Sequence, residues 1–223
     1  MLVLGIDTSS DVVVSSLSDG VSTAVTSEQP GAQAHGELLA PGIDAMLRAA
    51  GCAPRDITHV VVGVGPGPFT GLRVGVVTAL VMGEALDVPV LGVCSLDVVA
   101  HAATRDDGLD VAFSVVTDAR RKELYVACYD GAGRRLAVPV VARPDDLDDT
   151  VCSGAVVGAG AALYPERFPH VRSTRAVDAT ALAEVSAAVV RGSSLVEALD
   201  PRPLYLRRPD AVESARRKRV TPS

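Results

Sequence analysis

Apolar residues along the chain fall into short β-branched runs broken by polar, glycine- or proline-rich links, alternating with longer segments of helical period. Leu2 to Ile6 is the first run and closes on Asp7-Thr8-Ser9-Ser10. Val12 to Leu17 and Val21 to Val25 follow around a Ser18-Asp19-Gly20 turn, so three strands joined by hairpins are predicted. Leu39, Ile43, Met46 and Leu47 then keep helical spacing until Gly51, with Pro41 expected in the first turns, where its missing donor costs least. Val60-Val61-Val62 reads as a buried strand. Gly65-Pro66-Gly67-Pro68 stops it, because proline cannot donate to a ladder and glycine permits angles that other residues avoid.

The helix that follows organises the rest. Thr70 is the expected N-cap, with Phe69 and Val74 placed as a hydrophobic staple. The segment is apolar almost all round, which predicts cover on both sides, and its apolar run between Arg73 and Glu84 is too short to cross a bilayer. Gly71, Gly75, Ala79 and Gly83 recur every fourth residue and share a face, so another element can come unusually close there. Two readings stay open for that row: close packing on the chain's own sheet, or a subunit interface. On the second, Gly75→Leu is expected to leave the monomer folded and weaken partner binding. The Gly-Pro loop is no ATP-binding P-loop, since no Gly-Lys-Ser/Thr follows it.

Val88 to Val93 is a further buried strand, and Ser95 is the expected cap of a helix through Val98, Val99 and Ala102. Strand, helix, strand with short links predicts parallel pairing through a right-handed crossover. After a charged break at 105–110 a strand from Val111 to Thr117 runs into Asp118-Ala119-Arg120-Arg121-Lys122-Glu123 and a second strand, Leu124 to Tyr129. The order strand, acid, strand echoes Asp7 and suggests a duplicated, two-half architecture. Arg120 and Arg121 could hold phosphate or an acidic partner, or simply stay solvated. Asp130 to Gly133 closes a hairpin into Arg135 to Val141, and Asp145 to Asp149 reads as a solvated surface turn or short helix. Asp178 is the expected cap of a helix over Ala179 to Val190, with Gly192 beyond its end.

Composition narrows the function. With 223 residues, 48% of them hydrophobic, the chain can bury a real core. A net charge of −6 argues against a surface that coats nucleic acid generally, so RNA contact must be local or come through a partner. Without tryptophan and with 3% aromatics, few stacking platforms are on offer. Cys52, Cys94, Cys128 and Cys152 match neither a zinc spacing nor a disulfide framework, and buried reduced thiols in a cytoplasmic protein are expected. The N-terminus has no basic n-region and turns polar at once, so it reads as a strand rather than a signal peptide. Arg207, Arg208, Arg216, Arg217, Lys218 and Arg219 make the end of the chain basic, as a solvated tail or an RNA-phosphate contact.

Within this pattern, GVGPGPFTGLRVG resembles the signature of the TsaB family of bacterial tRNA threonylcarbamoyladenosine biosynthesis proteins, GPGSFTGLRIG, with Pro68 at the usual serine and Val74 at the usual isoleucine. AHGELLAP at 34–41, VPVLGVCSLDVVA at 88–100, TDARRKELYVACY at 117–129, VVGAGAALY at 156–164 and PLYLR at 203–207 are similar to further family segments in order. The resemblance implies an α/β, two-lobed actin-like (ASKHA, ribonuclease-H-like) fold with mixed sheets flanked by helices and a reduced second lobe. The expected division is a first lobe at 1–106, a second at 107–195, and a return to the first at 196–223.

The same resemblance implies a non-catalytic scaffold that pairs with TsaD and, with ATP, TsaE, in threonylcarbamoylation of adenosine beside the anticodon of tRNAs reading ANN codons. No catalytic or metal-binding residue is expected, and ATP or ADP with magnesium enters only within the complex. Gly71, Leu72, Gly75, Thr78, Ala79, Met82, Gly83, His35 and Leu39 are the partner-interface candidates, and a homodimer through the same helix is compatible with them. Asp7, Thr8, Ser9, Asp118, Arg120 and Arg121 are the phosphate-facing candidates, by likeness to the two phosphate hairpins of the superfamily. His35 lacks the second histidine that the catalytic relatives carry one helical turn later, because position 39 is Leu39. The rival class is an ATP-dependent phosphotransferase or a metalloprotease-like hydrolase with Asp7 and Asp118 as its acids.

Overall fold

The strand β1 (Val3–Asp7) is buried at every position, and a strand with no wet face belongs inside a sheet covered on both sides. In the computed structural model, which describes residues 1–31 and 34–207, it is the middle strand of a five-stranded sheet. The order is β3 (Thr23–Pro30), β2 (Val12–Ser18), β1, β4 (His59–Gly63), β5 (Val90–Val93). β1, β2 and β3 pair as antiparallel hairpins, whereas β1, β4 and β5 are parallel. Alternate side chains go to opposite faces. Leu4, Ile6, Val60 and Val62 pack with Leu39, Ile43 and Met46 of α1 (His35–Ala49) and Val76 and Ala79 of α2 (Phe69–Leu86). Val3, Val14 and Val61 join Val99 of α3 (Ser95–Asp106) and Leu182 and Val185 of α5 (Ala179–Val190) on the other.

A second five-stranded sheet has the order β10 (Val171–Ser173), β9 (Ala155–Val157), β6 (Phe113–Asp118), β7 (Leu124–Tyr129), β8 (Val140–Ala142). β6 repeats the plan of β1: it ends on an acid, turns back into an antiparallel neighbour and pairs parallel with a third strand on its other side. This lobe is reduced, with three strands of only three residues and α4 (Asp149–Ser153) of five. The boundary expected at 195 moves. Helix α5 packs on β1, β2 and β3 of the first sheet, and its first amide donates to Glu28 Oε1 at 2.7 Å, so the chain has already returned to the first lobe by Ala179. Leu204 then donates to the Val64 carbonyl at 2.8 Å. Of the basic run, Arg207 alone is described; Arg208 and residues 216–219 lie outside the described residues.

Several local expectations are corrected. α2 begins two residues earlier than expected, with Pro68 rather than Thr70 at its N-cap and no side-chain cap. Ser95 is the first helical residue of α3 and turns its hydroxyl elsewhere. Pro41 lies well inside α1, because that helix already starts at His35. Val21 is held in the turn by Asp19, whose Oδ1 accepts from Val21 and Ser22 amides at 2.8 and 2.6 Å, so β3 starts later, at Thr23.

The largest correction concerns α2. At 18 residues and mean hydropathy 1.4 it is long and apolar enough to cross a membrane by those measures, which the bounding charges did not suggest. Nor is it covered all round, since Val77 is 56% and Val81 61% exposed. Its glycine row faces inward. A Cβ on Gly71 would stand 2.4 Å from the Thr8 carbonyl oxygen, on Gly75 2.3 Å from Thr8 Oγ1, and on Gly83 2.2 Å from Val90 Cγ2. The row is spent on close packing against the chain's own sheet. Leu72, Ala79, Leu39 and His35 are buried with it, and Thr78 and Met82 are half-buried.

Gly75→Leu is therefore expected to destabilise the monomer itself, contrary to the sequence expectation. Even Gly75→Ala is expected to lower the unfolding free energy by about 1–3 kcal/mol through overpacking, read from a urea denaturation curve, and an unchanged midpoint contradicts this packing. The thiols give an independent check: burial and the nearby Asp97 push the Cys94 thiol up to about 12. A thiol-disulfide reagent at mildly alkaline pH is expected to modify the half-buried Cys52 and Cys128 in the native protein and spare Cys94.

Candidate functional site

The two hairpins that follow the acid-ended strands face one another across a cleft of about 350 Å³. Ser9, Ser10 and Asp11 of the first turn and Thr117, Asp118 and Arg120 of the second stand on its two sides, with Ser95 of α3 at its floor. Three of the phosphate-facing candidates, Asp7, Thr8 and Arg121, do not face it. Asp7 is fully buried; its Oδ1 accepts from the Ser9 amide at 2.8 Å and the Ser9 hydroxyl at 2.6 Å, and its Oδ2 from the Ser95 hydroxyl at 2.6 Å. Gly63 closes the remaining side, since a Cβ there would lie 1.8 Å from Asp7 Oδ2. Ser95 Oγ in turn accepts from the Gly65 amide at 3.1 Å. Burial pushes the Asp7 carboxyl above its ordinary value, partly offset by the bonds from Ser9 and Ser95.

Thr8 has another task. Its hydroxyl donates to the Gly71 carbonyl at 2.8 Å and accepts from the Gly75 amide at 3.1 Å, bridging one i to i+4 step of α2 and pinning that helix to the end of β1. His35 Nε2 lies 2.8 Å from the Ser10 carbonyl, so its ring supports the first turn from behind.

The second turn is built from cations. Arg120, Arg121 and Lys122 all have left-handed backbones, with φ of 62°, 55° and 61°, an uncommon run for residues with side chains. Asp118 Oδ1 accepts from the Arg120 amide at 2.7 Å, and the Arg120 guanidinium reaches over the cleft mouth to Asp11 Oδ2 at 2.6 Å. Both partners of that bridge are more than half exposed, so it latches the hairpins weakly, by about 0–1 kcal/mol. Ser9, Asp118 and Arg120 thus meet at one cleft, while Asp7 and Thr8 are structural and Arg121 points to the outer side, where it lines a second hollow.

The donor set does not suit magnesium–nucleotide chemistry. Every oxygen of Asp7 is occupied by a hydroxyl or amide, and Asp11 and Asp118 are engaged by Arg120. No group of three metal-capable side chains occurs among the described residues. The cleft is lined by the hydroxyls of Ser9, Ser10, Ser95 and Thr117, the guanidiniums of Arg120 and Arg175, and a mainly apolar wall that includes Leu96, Val99 and Val177. Ser95, Gly63 and Gly65 are the site residues that sequence reasoning missed. Ser95 looked like an ordinary helix cap, and nothing local tells that its hydroxyl bonds a carboxylate 88 positions away.

The family model described as TsaD, tRNA N6-adenosine threonylcarbamoyltransferase, matches residues 24–162. The Escherichia coli protein named tRNA threonylcarbamoyladenosine biosynthesis protein TsaB is 32% identical over 175 residues, 74% of this chain and 74% of that protein. An uncharacterised protein of Mycobacterium tuberculosis is 41% identical over 213 residues, covering 94% and 93%. Among solved structures, one described as YeaZ from Pseudomonas aeruginosa superposes with a TM-score of 0.78 at 26% identity, over 92% of this chain and 99% of that one.

The sealed acid has a pH signature. Because its folded value is raised, the native state holds the Asp7 proton more tightly than the unfolded chain does. Its contribution to stability is therefore full below the unfolded value, about pH 4, and is lost as pH rises through the folded one. Asp97, also raised by burial, acts in the same direction and remains as background. Asp7→Asn is expected to melt at the same or a higher temperature than wild type at pH 7.5 and to flatten the decline of stability above about pH 4. A melting point several degrees lower at pH 7.5 would show that ionised Asp7 is stabilising instead.

Proposed function

The chain belongs to the TsaB family, and on that premise we propose that it is the non-catalytic scaffold of a cytoplasmic assembly that makes threonylcarbamoyladenosine in tRNA, pairing with TsaD and, with ATP, TsaE. The observation that carries the pairing is the outer face of α2. Val77, Leu80 and Val81 stand 56%, 43% and 61% exposed at helical spacing, flanked by exposed Arg73 and Glu84. Since the opposite face is bolted to β1 and β5 through the glycine row, the stripe is rigidly displayed and suits helix-on-helix packing. The partner surface thus shifts by half a turn from the glycines to the large apolar residues. A homodimer of the isolated chain would use the same stripe.

The non-catalytic reading is supported by the state of the acids. A base or metal ligand must present a lone pair to its substrate, and Asp7 presents none. His35 has Leu39, not a second histidine, one turn on, and Leu39 is core. Both features count against an ATP-dependent phosphotransferase or a metalloprotease-like hydrolase.

Calorimetric titration with TsaD from the same source tests the proposal, with magnesium–ATP titrated in parallel. Wild type is expected to bind TsaD and to give no heat with magnesium–ATP alone. Val77→Asp with Val81→Asp is expected to weaken TsaD binding by about 30-fold or more while keeping the wild-type melting temperature, because both positions are exposed in the free chain. Unchanged affinity in that variant sinks the interface, and magnesium–ATP binding without TsaD binding sinks the scaffold reading.

A further inference from the structure

The closing segment PLYLR at 203–207 has no part in the α2 stripe, yet it ends beside the start of that helix. Leu204 ties it to the residue after β4 through the Val64 carbonyl, while its neighbour Tyr205 stays 42% exposed. Of the four tyrosines and three phenylalanines in the sequence, Phe69, at 39%, is the one other that is exposed. The two rings stack at 4.9 Å between centroids and 28° between planes. Arg73 locks the pair, its guanidinium 3.7 Å from the Phe69 ring centroid and its Nε donating to Tyr205 Oη at 3.0 Å.

Phe69 lies one helical turn before Arg73 and two before Val77, so it falls on the outward face of α2 and continues the stripe toward the start of the helix. Beyond Phe69 the surface does not close. A hollow of about 460 Å³ opens between the start of α2, the tip of the β6–β7 hairpin and the closing segment, with Phe69, Tyr205, Leu204 and Leu206 in its lining. The cations at its rim are spent within the chain: Arg120 on Asp11 and Asp118, Arg207 on Glu123, and Arg121 is engaged as well. An anion therefore finds no free guanidinium in the lining. Stacked rings, leucine side chains and a rim of matched charges suit an uncharged, apolar occupant.

We propose that this hollow is the anchor socket of the protein interface: the partner that packs along the α2 stripe extends past Arg73 and inserts a large apolar or aromatic side chain beside Phe69 and Tyr205. The inference rests on the pairing proposed above and adds to it a second chain segment, remote from α2 in sequence. The occupant is that same partner because the aromatic pair is continuous with the stripe, so a body seated on Val77 and Val81 already stands at the edge of the socket. Two features set the socket apart from an incidental contact. The stack and the Arg73 bond hold Tyr205 in place before a partner arrives, so little rotamer freedom is lost on docking. Tyrosine and arginine beside a concave apolar pocket are also the residue types on which binding energy concentrates.

Calorimetric titration of the full chain with TsaD from the same source tests the socket, using Phe69→Ala, Tyr205→Ala and Tyr205→Phe. All three are expected to stay folded, because Leu204 and the buried face of α2 hold the backbone without these side chains. Phe69→Ala and Tyr205→Ala are each expected to weaken TsaD binding at least about tenfold. Tyr205→Phe keeps the ring, loses the bond to Arg73, and is expected to stay within about threefold of wild type. A loss in Tyr205→Phe as large as in Tyr205→Ala shows that the hydroxyl strut matters and not the open ring, and overturns the socket. Unchanged affinity in both alanine variants, with binding still lost in Val77→Asp with Val81→Asp, ends the interface at the stripe and overturns this inference alone. Failure of the wild type to bind TsaD overturns both readings together. Sedimentation of the isolated chain covers the other occupant: alanine variants that dissociate a homodimer and leave TsaD affinity unchanged assign the socket to a second copy and overturn it.

Discussion

Everything functional in this molecule depends on how closely α2 approaches the end of β1. Glycine at 71 and 75 lets the helix backbone come within reach of Thr8, and the Thr8 hydroxyl then bridges the Gly71 carbonyl and the Gly75 amide. Neither half works without the other. A side chain at 75 would displace the hydroxyl, and a residue without the hydroxyl would leave a strand end packed on bare backbone. The fixed helix turns Val77, Leu80 and Val81 outward, holds Phe69 and Arg73 at the rim, and brings Gly65 close enough to bond Ser95.

The two lobes repeat one plan and put it to different uses. Each has a strand that ends on an acid, turns, and pairs antiparallel with the next. In the first lobe the acid is sealed by hydroxyls and by a glycine that leaves no room beside it, and burial raises its carboxyl above the ordinary value. In the second the acid folds its own turn and binds Arg120, which latches the hairpins across the cleft. The two hairpins share a backbone plan, while their polar groups are turned to internal bonding.

Helix α2 thereby presents three different surfaces by direction and position. Small residues face the sheet, large apolar residues face outward along its length, and an aromatic–arginine pair marks its start. The outer stripe is thus held on a rigid support, and docking on a preformed face costs less conformational freedom.

Periodicity and turn chemistry alone made most of the strands and helices, the parallel pairing of β4 and β5, the repeated strand–acid–strand plan and the Asp178 cap legible, because each depends on neighbours in the chain. The glycine row was equally legible as a close-contact face. Which partner it contacts was not, since a period of four residues says that something approaches and not what. Tertiary structure alone decided that Gly75 meets Thr8, that Ser95 bonds Asp7 rather than capping α3, that α5 crosses back to the first sheet, and that Tyr205 lies against Phe69 and Arg73. Each of those contacts joins residues far apart in the chain, where hydrogen bonding and steric fit are set by the packing of whole elements and leave no local signal in either partner.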